Sequence, residues 1–203
     1  MADAPTLVFD LDGTLVDTAP DLIAALNFVL DREGLPPIPL HSARSMIGAG
    51  ARKLIERGLE REGRAAGVKD INRMTVDFVE YYAAHIADAS RPFEGLEGAL
   101  DELSSHGFRF AVCSNKLEWL SKRLLDQLGL SPRFAAICGG DTFGVSKPDP
   151  DILRQTVARR RTIGHDRHGG RRRHRYRGCP ARRRPGDCGE LRLHRCADRR
   201  TQT

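Results

Sequence analysis

The sequence predicts an α/β fold, a doubly wound parallel sheet carrying an inserted helical cap. Three observations lead there. A short apolar run at Leu7–Phe9 ends in Asp10-Leu11-Asp12-Gly13-Thr14, helical periodicity fills residues 17–90, and helices and strands alternate from 96 to 158. Strand–helix alternation with apolar strands implies a parallel sheet covered by helices.

Taken in order, Leu7–Phe9 reads as a buried strand broken by the Gly13-Thr14 turn. Asp17-Thr18-Ala19-Pro20-Asp21 has the polar cap, early proline and first-turn acid of a helix start, and Leu22, Ile23, Leu26, Val29 and Leu30 then form one apolar face. Gly34 stops that helix and Pro36-Pro37-Ile38-Pro39 is a stiff connection. Leu54, Ile55 and Leu59 mark a second helix, and Met74 to Ile86 a third. Arg91–Gly95 turns the chain back to the main domain. There Leu96–Leu103, Trp119–Leu128 and a segment from Asp149 to Ala158 read as helices, and Phe108–Cys113 and Phe134–Cys138 as strands. The expected division is a core of residues 1–16 and 91–158, a cap of 17–90, and an Arg-rich, disordered tail of 159–203 in place of the last strands.

Ligands of such sheets bind at the carboxyl ends of the strands. Asp10/Asp12, Ser114-Asn115-Lys116 and Lys147 all fall there. Asp10 and Asp12 share one strand face, and paired carboxylates need a cation or a proton between them. Asp10 can attack phosphorus, while Asp12 can protonate the leaving oxygen and then activate water. Ser114 and Asn115 offer neutral donors to phosphoryl oxygens, and Lys147 offers a fixed positive charge.

Asp10-Leu11-Asp12-Gly13-Thr14-Leu15-Val16-Asp17, Ser114-Asn115-Lys116 and Lys147-Pro148-Asp149-Pro150 resemble the motifs of the haloacid dehalogenase-like phosphatases over about residues 5–158. Within that family the likeness is greatest to the bacterial phosphoglycolate phosphatases, through Asp17–Leu22, Ile47-Gly48-Ala49-Gly50 and Ala111–Lys116. The resemblance implies a Rossmann-like core and magnesium-dependent hydrolysis of 2-phosphoglycolate through an aspartyl-phosphate. It implies Asp10 as nucleophile and metal ligand, Asp12 as acid/base and metal ligand through its backbone carbonyl, and Thr14, Ser114, Asn115 and Lys147 against the phosphate. Hydrolysis of another small phosphate ester, or phosphoryl return to a sugar phosphate, is the alternative activity within the family. The expected partner is a small phosphorylated metabolite, with no membrane and no specific nucleic acid; oligomeric state is left open.

Bulk composition agrees. No apolar run approaches a membrane span, and the amino-terminal residues lack the order of a signal peptide. Five cysteines without paired spacing read as free thiols of a reducing compartment, so the cytoplasm is expected, with Cys113 and Cys138 in the core. His41, His85 and His106 have no metal-ligand spacing and read as surface residues, as do Arg52 and Lys53.

The net charge of +6 averages two unlike segments, because residues 159–203 hold 16 of the 33 basic residues and only 4 of the 27 acids. The family requires a further Gly-Asp, with a second Asp four residues on, about two dozen residues past the lysine. That window here reads Gly169-Gly170-Arg171-Arg172-Arg173, and Asp166 is the nearest carboxylate. Back-translated and read one base later, Gly164 to Gly178 can encode A-M-I-V-M-V-G-D-A-G-T-D-I-G. That run is a strand followed by the missing motif, its Gly-Asp falling over Arg171 and Arg172. The reading frame is therefore expected to change after about residue 158–163. The contrasting reading is an inactive product whose basic tail binds polyanions non-specifically.

Overall fold

The computed structural model describes residues 4–166, with side chains through residue 160. The expectations for 167–203 lie outside the described residues.

The central sheet has the order β1-β4-β5, from Thr6–Phe9 (β1), Arg109–Cys113 (β4) and Ala136–Cys138 (β5). All pairings are parallel, with Phe9 beside Val112 and Cys113 beside Cys138. The expected fold class is correct. Strands β4 and β5 begin later than their apolar runs, at Arg109 and Ala136, because Phe108 and Phe134 serve as apolar lead-ins to the sheet.

The strand faces differ in side-chain size. Ala111, Ala136 and Cys138 form a small-residue cluster with Val8 and Phe143. Helix α7, Asp151–Asp166, packs on all three strands, and its Thr156 hydroxyl meets the thiols of Cys113 and Cys138. Burial pushes both thiols up, as suits inert core cysteines. The other face carries Phe110, Val112 and Ile137 into the main core with Leu100 of α5 (Leu96–Ser105) and Leu120, Leu124 and Leu125 of α6 (Glu118–Gln127).

Between Asp17 and Arg91 lie four helices: α1 (Ala19–Arg32), α2 (Leu40–Ala43), α3 (Ala51–Arg61) and α4 (Val68–Ala84). A two-stranded antiparallel stem, β2 (Val16–Asp17) with β3 (Arg91–Pro92), closes their base. That stem is invisible to periodicity, being two residues a side. Helix α4 starts six residues before the Met74 expected from its apolar face. Its first turn carries Val68, Lys69 and Asp70, and Gly67 stands at its N-cap.

Asp21, foreseen only as a first-turn acid, is 4% exposed and accepts the Ala89 N–H, the Ser90 N–H and the Ser90 hydroxyl at 2.6–3.1 Å. It ties α1 to the segment returning to β3. Asp21→Ala strands those buried donors, so urea unfolding is expected to show a loss of about 2–4 kcal/mol. A change under about 0.5 kcal/mol would contradict this role.

The tail boundary is corrected. Residues 159–166 were expected to begin a disordered tail, but α7 runs unbroken to Asp166. Arg159 pairs with Glu118 and Arg160 is 7% exposed, its guanidinium donating to the Ala4 carbonyl at 3.2 Å. Periodicity failed at 159 and 160 because Arg159 and Arg160 take inward positions on a helix that packs on the sheet. No helix among the described residues is long and apolar enough to cross a membrane.

Candidate active site

The topology sets most of the expected site residues at or just beyond strand ends. Asp10 follows β1, Ser114 and Asn115 follow β4, and Lys147 lies on the loop after β5. Parallel strands in register bring their carboxyl ends to one edge, so residues 104 and 137 positions apart become neighbours. The Lys147 ammonium lies 2.7 Å from Asp10 Oδ1, which also accepts the Leu11 N–H at 2.7 Å.

Asp12 sits one turn on. Its Oδ1 accepts the Thr18 hydroxyl at 2.7 Å and the Lys116 ammonium at 2.9 Å. Thr14 is exposed in the turn, where its N–H reaches the Leu11 carbonyl at 3.3 Å. Ser114 is 1% exposed and its hydroxyl accepts the Lys116 N–H at 3.2 Å. Asn115 makes its hydrogen bonds to backbone. Its carboxamide donates to the Gly48 carbonyl at 3.0 Å and the Lys147 carbonyl at 3.4 Å, and accepts the Lys147 N–H at 2.9 Å.

Lys116 was quoted in the sequence motif without a role, and the structure makes it central. It is buried, with its ammonium 2.8 Å from the Tyr82 hydroxyl oxygen and 4.3 Å from the Tyr82 ring centroid. Burial opposes its charge, yet Asp12 and Tyr82 outweigh burial and hold its pKa above the ordinary lysine value. Burial likewise pushes the Tyr82 hydroxyl up, against the pull of the Lys116 charge. The signal in sequence was a lysine directly after an apolar strand and two polar residues, a place where a solvated lysine is uncommon. Tyr82 gave no such signal, because it reads as one more apolar position of α4.

A cavity of about 400 Å³ opens between these strand ends and α3 and α4. Asp12, Asn115, Lys116 and Lys147 line it from the sheet side, and Ile47–Arg52, Thr75, Phe78, Val79 and Tyr82 from the helices. Arg52 and Lys53 stand exposed and paired with Glu56, as expected of a solvated helix face, though Arg52 also reaches Asn72 and the cavity rim. His85 is a surface residue against Asp88 and Tyr81.

A second network braces the loop that carries Lys147. Glu118 accepts both Arg159 guanidinium nitrogens at 2.7 and 2.9 Å, the Thr142 hydroxyl at 2.6 Å and the Lys122 ammonium. Gly139 is pressed so close that a Cβ there would collide with the Lys116 and Glu118 backbone. Burial would raise Glu118, but Arg159, Lys122 and Thr142 together hold its carboxyl down to about 2. A depressed folded pKa contributes stability that is complete above about pH 5 and is lost as pH falls toward 2. Glu118→Gln should therefore cost on the order of 1–2 kcal/mol at neutral pH after solvent screening, its side chain being 18% exposed, and should flatten the acid limb of the stability curve. Denaturant melts from pH 7 to 3 check this, and an unchanged acid limb would contradict it.

With this geometry in place, the comparisons with known proteins decide the family. The model of the haloacid dehalogenase-like hydrolases matches residues 7–166. This chain belongs to the haloacid dehalogenase-like hydrolase family. A phosphoglycolate phosphatase of Caulobacter vibrioides is 46% identical over 153 residues, covering 75% of this chain and 65% of that protein. One from Mesorhizobium japonicum is 40% identical over 164 residues, covering 81% and 71%. The matched part thus spans about two thirds of these relatives' length. Two solved structures share the fold. One is a haloacid dehalogenase-like protein of Streptococcus pneumoniae, with TM-score 0.64, 20% identity, and 76% of this chain and 69% of that one covered. The other is CbbY of Rhodobacter sphaeroides, with TM-score 0.62, 22% identity, and 77% and 72% covered.

Magnesium is general to the family. Asp10 and Asp12 are the hard oxygen donors that Mg²⁺ takes, and Mg²⁺ is often held by one or two carboxylates with waters and a substrate phosphate. Among the described residues, however, no group of three or more His, Cys, Asp or Glu side chains stands ready to hold a metal. The described residues therefore fit one side of a magnesium site.

Proposed function

We propose that residues 4–160 are the phosphoryl-transfer part of a phosphomonoester hydrolase acting on 2-phosphoglycolate. The observation that carries the reading is Lys147 on Asp10 beside Asp12 at the carboxyl edge of one parallel sheet. The relatives' identity as phosphoglycolate phosphatases supports the substrate.

In this reading an Asp10 carboxylate oxygen attacks phosphorus and the phosphorus–ester oxygen bond breaks. Asp12 gives its proton to the departing alkoxide. Asp12 then takes a proton from water, whose oxygen attacks the aspartyl-phosphate, releasing inorganic phosphate and the Asp10 carboxylate. Lys147 orients Asp10 and offsets the crowded phosphoryl charge, and Ser114 and Thr14 are the proposed phosphate donors. Asp10 and Asp12 would hold Mg²⁺, which when bound neutralises phosphoryl oxygens. The α1–α4 helices act as a cap on the β2–β3 stem, and their apolar wall excludes water from the cavity.

We also propose that the chain departs from its original frame after about residue 158–163. Two features support this. The family match stops at residue 166. And β1, apolar on both faces, pairs on one edge only among the described residues and is half-buried where a central parallel strand would be covered. The strand A-M-I-V-M-V-G-D of the shifted frame suits that open edge and ends in the carboxylate the metal site lacks. Steady phosphate release from 2-phosphoglycolate without an isomerised product tests the hydrolase reading. Codons across 155–178 that are incompatible with the shifted reading would sink the frame change.

A further inference from the structure

We propose that Asn115 is a positioning residue, a carboxamide clamp that seats Lys147 against Asp10 and, with the same group, holds the Gly48 loop over the cavity. This rests on the reading of Asp10 and Lys147 given above. A primary amide has two N–H donors and a carbonyl, and here every one of them meets backbone. The N–H groups reach Gly48 O and Lys147 O, and Oδ1 takes the Lys147 N–H. The segments joined lie 67 residues before and 32 residues after Asn115.

The surroundings are shaped for this contact. Gly50 has φ +87°, and a Cβ there would stand 3.4 Å from the Asn115 carbonyl oxygen. A Cβ on Gly140 would stand 3.0 Å from the same oxygen. Glycines on both sides thus let the Gly48 and Gly140 loops close on Asn115. With both donors committed to carbonyls, the amide has no N–H left for a phosphoryl oxygen. Its consequence for the site is indirect: it fixes the backbone from which the Lys147 ammonium reaches Asp10 at 2.7 Å. Aspartate, nearly isosteric, has no donor and would face the Gly48 and Lys147 carbonyls with a negative charge.

Hydrogen exchange on the full chain, with titration by inorganic phosphate, tests the clamp. Asn115→Asp should speed exchange at 47–50 and at 145–147 together by about ten-fold or more, leave β1, β4 and β5 protected, and raise the phosphate Kd about ten-fold. Lys147→Ala should weaken phosphate similarly while exchange at 47–50 stays within about two-fold. Weakened phosphate binding with both loops unchanged would make Asn115 a direct ligand and overturn the clamp, as would loosening of one loop alone. If the unsubstituted chain binds no phosphate yet both loops loosen together in Asn115→Asp, the clamp stands and the phosphate reading falls. Should Asn115→Asp expose the strands too, the unsubstituted chain decides in rising urea. One group holding both loops requires their protection to vanish at one urea concentration, and loss at separate concentrations overturns the proposal.

Discussion

Returning the chain to the shifted frame after residue 163 should raise magnesium-dependent phosphate release from 2-phosphoglycolate by about 10³-fold or more over the chain as written. The expectation follows from what the described residues lack. Asp10 and Asp12 supply two oxygen donors, and no third carboxylate joins them among those residues. Metal charge on phosphoryl oxygens contributes several kcal/mol to such transition states, and each 1.4 kcal/mol is about ten-fold in rate. The shifted strand would also cover the open edge of β1, the strand that aims Asp10. Phosphate release by both chains, measured across a magnesium titration, checks this. Equal turnover by the chain as written would contradict it and would show that the Arg-rich segment does no harm.

Asp10→Asn in the frame-restored chain should abolish turnover, by about 10⁴-fold or more, since an amide cannot form the acyl phosphate. Lys147→Ala should lower kcat/KM by about 10²–10³-fold, the range of losing one positioned charge at a developing anion. The two differ in a diagnostic way. Asp10→Asn keeps the phosphate grip and should still bind inorganic phosphate, whereas Lys147→Ala should lose both binding and rate. Residual turnover in Asp10→Asn above about one per cent of the parent would remove Asp10 as nucleophile.

The sheet and its order of chemistry were legible because parallel strands announce themselves by apolar runs and their ligands by the residues that follow. Placing Asp10, Asp12, Ser114 and Lys147 at one edge of the sheet needed only that rule. What escaped was tertiary. The β2–β3 stem is too short for any period, and the pairing of Asp21 with Ser90 joins residues 69 apart. Lys116 and Tyr82 looked like a motif neighbour and a core aromatic, and only packing makes them a buried pair on Asp12. Asn115 had the donors of a phosphate ligand, but its choice of backbone partners depends on where two distant loops close. Arg159 shows the opposite error. An arginine-rich stretch was taken as the end of order, yet its first member makes a bidentate pair with Glu118 inside the fold.

The most direct measurement is to quench the frame-restored chain in acid during turnover of 2-phosphoglycolate, reduce the acyl phosphate with tritiated borohydride, which expels the phosphate and leaves tritium on the new homoserine, and sequence the labelled peptide. The label should fall on Asp10 and nowhere else. Steady turnover with no label trapped, or with the label on another residue, would contradict it.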